Sequence, residues 1–337
     1  HRVDRRQRQM CIRDRFNTEF TPERVEAAKR VIVHENGEHP AAWQRLLGAS
    51  SKRNDATEQV AAELGQACAE QDSLDRLDAA TLERVHEQWY VANNMTLIMV
   101  GDLDRRLPAY LERRFGELPP GPMPELRELP ESTGHAAPER TMTTGLVGDT
   151  AQVNLIFTEP WVGELDQGTW QLLRDYLQWA VYRDLRLEQG LAYSPSVERS
   201  AYGSSSFFSI NAEVARQDVA QTGQRLHQLL QRLAKHGLDD ATLERLRSVA
   251  LARQNWMAQG NSALADTYWS SLGSYEEGRF ADPAPELRKI HTAQLDAALN
   301  LLLKQPSYLR VEQPLLSTTG LYVVGAVAVL ILLLALV

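Results

Sequence analysis

Arg186-Leu-Glu-Gln-Gly190-Leu-Ala-Tyr193-Ser194 joins the end of a long amphipathic run to a strand through a single glycine. The junction fixes an Arg and a Tyr near one turn. Two readings fit these letters. In one, the pair is held on rigid elements and aimed into a cleft, Arg as a fixed cation and Tyr as a hydroxyl donor. In the other, Gly190 is an ordinary helix C-cap, with a surface Arg and a half-buried Tyr beside it.

Around this stretch the pattern predicts a strand at Gln152–Thr158. A helix of about twenty residues follows, with Trp170, Leu173, Leu177, Ala180, Val181 and Leu185 at helical spacing. Beyond Tyr193, the runs Leu191–Arg199 and Ser206–Val214 flank Ala201-Tyr-Gly-Ser-Ser205 and read as a hairpin. Helices at Asp218–Lys235, Asp240–Trp256, Ser262–Leu272 and Ala293–Leu303 lead to a last strand at Tyr308–Val311. These elements make one unit over 151–313.

Upstream, Thr21 caps a helix that has Pro22 at its first position, places Val25, Ala28, Val31 and Ile32 on one face, and runs to about Glu35. Helical segments follow at Ala41–Leu47, Ala56–Ala69 and Asp78–Tyr90. Met95–Val100 reads as a buried strand and Leu107–Phe115 as a short helix. Pro119, Pro120, Pro122, Pro124, Pro130 and Pro138 mark 119–150 as a linker and 21–118 as a separate unit.

The two units repeat a layout. Leu77–Trp89 followed by Met95–Val100 matches Ile290–Leu303 followed by Tyr308–Val311, and a long helix precedes each, Pro22–Glu35 or Ala241–Trp256. As repeats, they leave the first half short of an opening strand, long helix and hairpin, roughly 70 residues judged by the second half.

The 337 residues carry a net charge of -8 and spread their basic side chains, which argues against a nucleic-acid surface. The two cysteines, Cys11 and Cys68, form no CxxC and encode neither a disulfide framework nor a cysteine zinc site. The Arg-rich start, 1–20, lacks the apolar core of a secretory signal and reads as an artefactual or disordered segment. Gln9-Met-Cys-Ile-Arg-Asp-Arg15 resembles translated sequencing-adapter read-through; a solvated basic arm is the alternative. Gly320–Val337 carries no charge, and a helix of that length reaches ~27 Å, enough to cross a bilayer core. We therefore expect a membrane-spanning helix at 318–337, with a buried core helix as the alternative. No Lys or Arg follows Val337 to orient it.

Several segments together resemble the pitrilysin/insulinase family of zinc metallopeptidases, over nearly all of Thr21 to Gln313. They are Val31-Ile-Val-His-Glu35, His86-Glu-Gln-Trp-Tyr90 with Asn93-Asn94-Met95, Val100-Gly101-Asp102, Phe115-Gly-Glu-Leu-Pro119, and Arg186 to Tyr193. The resemblance implies an α+β fold. Two repeated domains, each a mainly antiparallel sheet with helices packed on one face, would enclose a chamber for an extended peptide. It also implies zinc as cofactor, held in the first repeat by an inverted zincin motif, HxxEH, and a later Glu. Three protein ligands leave one position for a water whose pKa falls, and a carboxylate beside it takes the proton.

This sequence contains no HxxEH. The nearest approach, His34-Glu-Asn-Gly-Glu38-His39, has one residue too many, which rotates His34 by roughly 100° away from the required face. Glu35 matches the family's downstream zinc ligand; a surface Glu at a helix end is the alternative. Ala28 stands where active members often carry another acid. Arg186 and Tyr193 match the residues that the second domain contributes to bind substrate near the metal, where they would steady a carbonyl oxygen gaining charge or hold the peptide backbone.

For the complete protein, of which this chain reads as a truncated copy, the resemblance implies a zinc endopeptidase or processing peptidase acting on peptide or protein substrates; the apolar C-terminal segment adds a membrane anchor and, with the resemblance, an extracytoplasmic body. The alternative is a non-catalytic substrate-binding subunit or scaffold with a peptidase partner. A complete tail-anchored protein that only binds other proteins is the third reading. These 337 residues themselves are expected not to hydrolyse peptides.

Overall fold

The computed structural model describes residues 18–35, 56–66, 74–122, 134–159, 167–257, 259–276, 278–280, 282 and 284–335. Residues 1–17 of the Arg-rich start, the expected helix Ala41–Leu47 and His39 lie outside them. The chain divides into two compact units, one within 1–38, 69–128 and 256–281, the other within 39–68, 129–255 and 282–337.

The first unit contains the helices Pro22–Glu35, Ala79–Trp89, Leu107–Phe115 and Asn261–Ser270, and a two-stranded hairpin, Tyr275–Glu276 with Arg279–Phe280. Its helix starts follow their caps. Thr21 Oγ1 accepts from Arg24 N at 3.3 Å, and Asp78 Oδ1 accepts from Thr81 N at 2.7 Å. Two asparagines close the turn after Trp89: Asn94 donates to the Trp89 carbonyl, and Asn93 exchanges two 2.9 Å bonds with the Gly121 backbone.

Residues 95–100 depart from expectation. Met95 is extended (φ −123, ψ 138), yet the segment pairs with no strand among the described residues, and Leu97 and Met99 are exposed. An apolar run is buried as a strand only where neighbours cover it. For the same reason only Val25 is buried on the apolar face of Pro22–Glu35, while Val31 and Ile32 stay exposed.

The second unit is a mixed α+β layer structure. Its elements include α1 (Ala56–Glu63), β1 (Glu139–Thr143), β2 (Thr150–Thr158), α2 (Gln167–Val181), β3 (Ser196–Tyr202), β4 (Ser205–Ala215), α3 (Val219–His236), α4 (Asp240–Met257), α5 (Thr292–Leu303), β5 (Ser307–Gln313) and α6 (Thr318–Ala335). The sheet order is β1-β5-β2-β4-β3, antiparallel except for the parallel β1–β5 edge. The edge strand β1 falls inside the stretch that proline content marks as linker. Its letters, Glu-Arg-Thr-Met-Thr, are polar because an outermost strand has little to bury.

Strand alternation sorts the two faces. Val153, Leu155 and Phe157 of β2 and Ile210, Ala212 and Val214 of β4 join one core with Trp170, Leu173 and Leu177 of α2, Leu226 and Leu230 of α3, and Leu295 and Leu299 of α5. On the opposite face, α1 covers one end, packing Val60, Ala61 and Leu64 on Ile156, Phe207 and Tyr308. The rest of that face is polar and forms the floor of the candidate site.

After β5 the chain runs into α6 through a tied junction. Leu315 N donates to the Gly145 carbonyl and Leu316 N to Leu146, both at 2.8 Å, and Arg216 Nη2 reaches the Leu315 carbonyl at 3.0 Å. Asp149 caps α6, accepting from Thr318 N at 2.9 Å and from the Thr318 hydroxyl. α6 is 18 residues long, apolar enough to cross a membrane, and packs no part of itself inside the fold.

Candidate functional site

The helix α2 does not stop at Val181. It continues through Tyr182–Glu188 as a π-helical turn, wider than an α-turn by one residue. Gln189 N donates to the Asp184 carbonyl at 3.1 Å, and the Leu185 carbonyl accepts from Leu191 N at 2.8 Å and Ala192 N at 3.3 Å. These bonds reverse the chain over Gly190, whose φ of +64° is left-handed, a region that favours glycine. Gly190 thus does cap the helix. The cap also delivers Tyr193 beside Arg186.

The Arg186 guanidinium carbon stands 4.3 Å from the centre of the Tyr193 ring and 5.1 Å from that of Tyr182, so the cation is stacked against two aromatic faces. Tyr193 is 78% exposed, where sequence reading has it half-buried or buried. The reason is its place in the connection before β3, flanked by exposed Ser194 and stacked on Arg186.

Tyr193, with Arg186 stacked on its ring, lines a groove of about 500 Å³ together with Ser196, Asn211, Gln152, Glu213 and Thr150 among others. Cross-strand register explains its polarity: Gln152 pairs with Glu213, Asn154 with Asn211 and Ser196 with Asn211, and paired residues share a face. Asn211 Nδ2 donates to Ser196 Oγ and Ser209 Oγ, each at 3.4 Å, while its buried Oδ1 finds no partner among the described residues. A tyrosine hydroxyl at the rim, stacked on a cation, and polar side chains on the floor suit an extended polypeptide, whose N–H and C=O groups need both donors and acceptors. Sequence reading missed Gln152, Asn211 and Glu213. Their signal was the polar residue at every second position of two otherwise apolar strands.

The turn is anchored from outside. Asp184, 3% exposed, accepts from Arg225 Nε at 2.8 Å, Arg225 Nη2 at 2.9 Å and Arg232 Nη2 at 2.8 Å, both arginines on α3. The bond to Asp184 holds the Arg225 guanidinium pKa above its ordinary value.

The structure brings Arg186 and Tyr193 together. Glu35 is the last residue of the helix Pro22–Glu35 and belongs to the other unit. His34 precedes it in that helix, and His86 stacks on Tyr90 at 4.5 Å and meets Phe20 edge to face at 5.4 Å. Among the described residues no group of three His, Cys, Asp or Glu is arranged to hold a metal ion, so they do not fit a zinc centre.

Comparison with known proteins gives this geometry a context. A family model described as the peptidase M16 inactive domain matches residues 76–249. Protein YhjJ of Salmonella typhimurium is 28% identical over 119 residues, 32% of this chain and 23% of YhjJ. The peptidase M16 inactive domain from Pseudomonas fluorescens superposes with a TM-score of 0.66 at 17% identity, over 88% of this chain and 72% of that one. The periplasmic protease PqqL from Escherichia coli gives 0.62 at 13% identity, over 87% of this chain and 33% of PqqL. At such identities the structural likeness is one of fold, and the chain spans a third or less of YhjJ and of PqqL.

Proposed function

The chain belongs to the peptidase M16 inactive-domain family, and on that premise we propose that it supplies the substrate-binding wall of a zinc endopeptidase without hydrolysing peptides itself. The observation that carries this reading is the Arg186–Tyr193 stack at 4.3 Å, whose Tyr193 lines a polar groove. An extended peptide lies along the groove, its carbonyls facing Arg186 and the Tyr193 hydroxyl. Its N–H groups face Glu213.

Zinc chemistry belongs to a partner half that carries HxxEH, which these 337 residues lack. Glu35 would complete that half as a third ligand, since its place after Val31-Ile-Val matches the family's downstream Glu. In this reading 21–118, apart from α1, which packs on the second unit's sheet, is the closing part of the metal-side repeat, and 151–313 with β1 is the substrate-side repeat. α6 tethers the body to a membrane, and the periplasmic address of PqqL supports an extracytoplasmic body.

The test is reconstitution. The 337-residue chain, in detergent with excess zinc, is expected not to cleave fluorescein-labelled casein, and to raise cleavage when mixed with an HxxEH-bearing M16 domain. Zinc-dependent cleavage by the chain alone would overturn the proposal, as would a mixture no faster than the added domain.

A further inference from the structure

Asp184 is a buried acid that the substrate-binding reading leaves without a task. Burying a carboxylate is costly, and proteins keep one only where its oxygens are well bonded. Here three charge-assisted hydrogen bonds of 2.8 to 2.9 Å from Arg225 and Arg232 meet two oxygens. The backbone of the same residue also works: its carbonyl accepts from Gln189 N, the residue before Gly190. Asp184 therefore ties the π-helical turn to α3 through its side chain and closes the turn through its carbonyl.

We propose that Asp184 is the positioning residue of the Arg186–Tyr193 pair, clamped by Arg225 and Arg232 so that the widened turn sets the Arg186 guanidinium against the Tyr193 ring. A π-helical turn holds one residue more than an α-turn and is intrinsically less favourable, so something outside it must hold it open. Reversion to α-geometry rotates the following residues by about 100° about the helix axis. That rotation carries Arg186 off the face it shares with Tyr193. Leu185 then loses its bonds to Leu191 and Ala192, the residues that deliver Tyr193. The Arg183–Glu188 pair, 2.8 Å apart, spans the turn on its exposed side and cannot replace an anchor to a second helix.

The proposal rests on Arg186 and Tyr193 being peptide contacts, so its experiment reads geometry and binding separately. The full chain in detergent is labelled with 3-fluorotyrosine, and the Tyr193 fluorine resonance is assigned by its loss in Tyr193→Phe. Asp184→Asn, which keeps the volume of the side chain, is expected to move that resonance to the position seen in Arg186→Ala. It is also expected to weaken binding of a fluorescein-labelled unfolded casein fragment by about tenfold, while the tyrosine resonances other than that of Tyr182, which lies in the same turn and also stacks on Arg186, hold. Arg232→Ala, which removes one of the three bonds, gives a smaller shift in the same direction and carries the comparison if Asp184→Asn does not fold.

An unmoved Tyr193 resonance in Asp184→Asn, or in Arg232→Ala where that variant stands in, overturns the proposal. So does a loss of casein binding in Arg186→Ala that Asp184→Asn does not share. A moved resonance with binding unchanged in both variants overturns the peptide-contact reading instead, and leaves the link from Asp184 to the stack standing.

Discussion

Glu63 and Arg310 are 247 positions apart in the chain and 2.7 Å apart in space. Arg310 is fully buried on β5, and Glu63 ends α1. Arg310 also donates to the Ala137 carbonyl at 2.8 Å, and Glu63 takes a second cation, Arg140 of β1, at 2.6 Å. The pair fastens α1 over the sheet face that the main helix layer leaves open.

Removing one partner of such a pair leaves the other charge uncompensated, and the more buried charge suffers more. Glu63→Ala should therefore cost about 3 kcal/mol. Arg310→Met should cost less, since Glu63 keeps Arg140 and some solvent. Urea denaturation of both variants checks the order, and a larger loss for Arg310→Met would show that the pair is not what fastens α1.

Gly203 opens the two-residue turn between β3 and β4 with φ +57°, and a Cβ there would lie 2.1 Å from Gln66 Oε1. That oxygen accepts from Ser204 N at 2.7 Å and from the Ser204 hydroxyl at 3.1 Å. Gly203→Ala thus meets a left-handed backbone penalty and displaces buried Gln66, for a loss of about 2 kcal/mol. Thermal denaturation measures it. A neutral result would mean that the turn and Gln66 are free to separate.

Much of this architecture is legible in the letters, and the exceptions share a cause. Asp78 before Leu82, Val85 and Trp89 announces a capped helix, and alternation in 152–158 announces a strand with one apolar face, because both signals are local. β1 is not legible, since its parallel partner β5 lies far along the chain and an edge strand needs no apolar pattern. Met95–Val100 misleads in the other direction, because burial depends on neighbours that an apolar run does not encode. At the site, Gly190 signals the turn, but the extra residue of the π-helical turn leaves the hydrophobic spacing almost unchanged. Asp184 reads as one acid among many until α3 brings Arg225 and Arg232 to it.

Asp175 on α2 has a side chain only 11% exposed, and burial raises its pKa against the opposing pull of Arg174 and Arg253. A raised folded-state pKa means that the native state holds the proton more tightly than the unfolded chain. Stability therefore falls as pH rises through that window. Asp175→Asn is expected to raise Tm at neutral pH, with the gain fading once pH drops below the ordinary carboxylate range. Melting curves across that span check it, and a neutral-pH loss in the variant would show that the Arg174 contact outweighs burial.

Asp149 behaves in the opposite sense. Bonds from the Thr318 hydroxyl and amide depress its pKa, so its hold on α6 is complete above the ordinary carboxylate range and lost as pH falls through the depressed value. Protection of the amides at residues 318–321, taken relative to their intrinsic exchange rates, should fall on acidification, and Asp149→Asn should show the reduced protection already at neutral pH. Exchange in the variant matching the unsubstituted chain would remove Asp149 from the junction.

The Arg186–Tyr193 pair at the groove is the centre of the account, and equilibrium binding of a fluorescein-labelled unfolded casein fragment to the full chain tests it most directly. Fluorescence anisotropy in detergent should show saturable binding that weakens about tenfold in Arg186→Ala, the worth of a lost charge-assisted hydrogen bond. Tm should stay unchanged and the fragment intact. Equal affinity in the chain and in Arg186→Ala would contradict it.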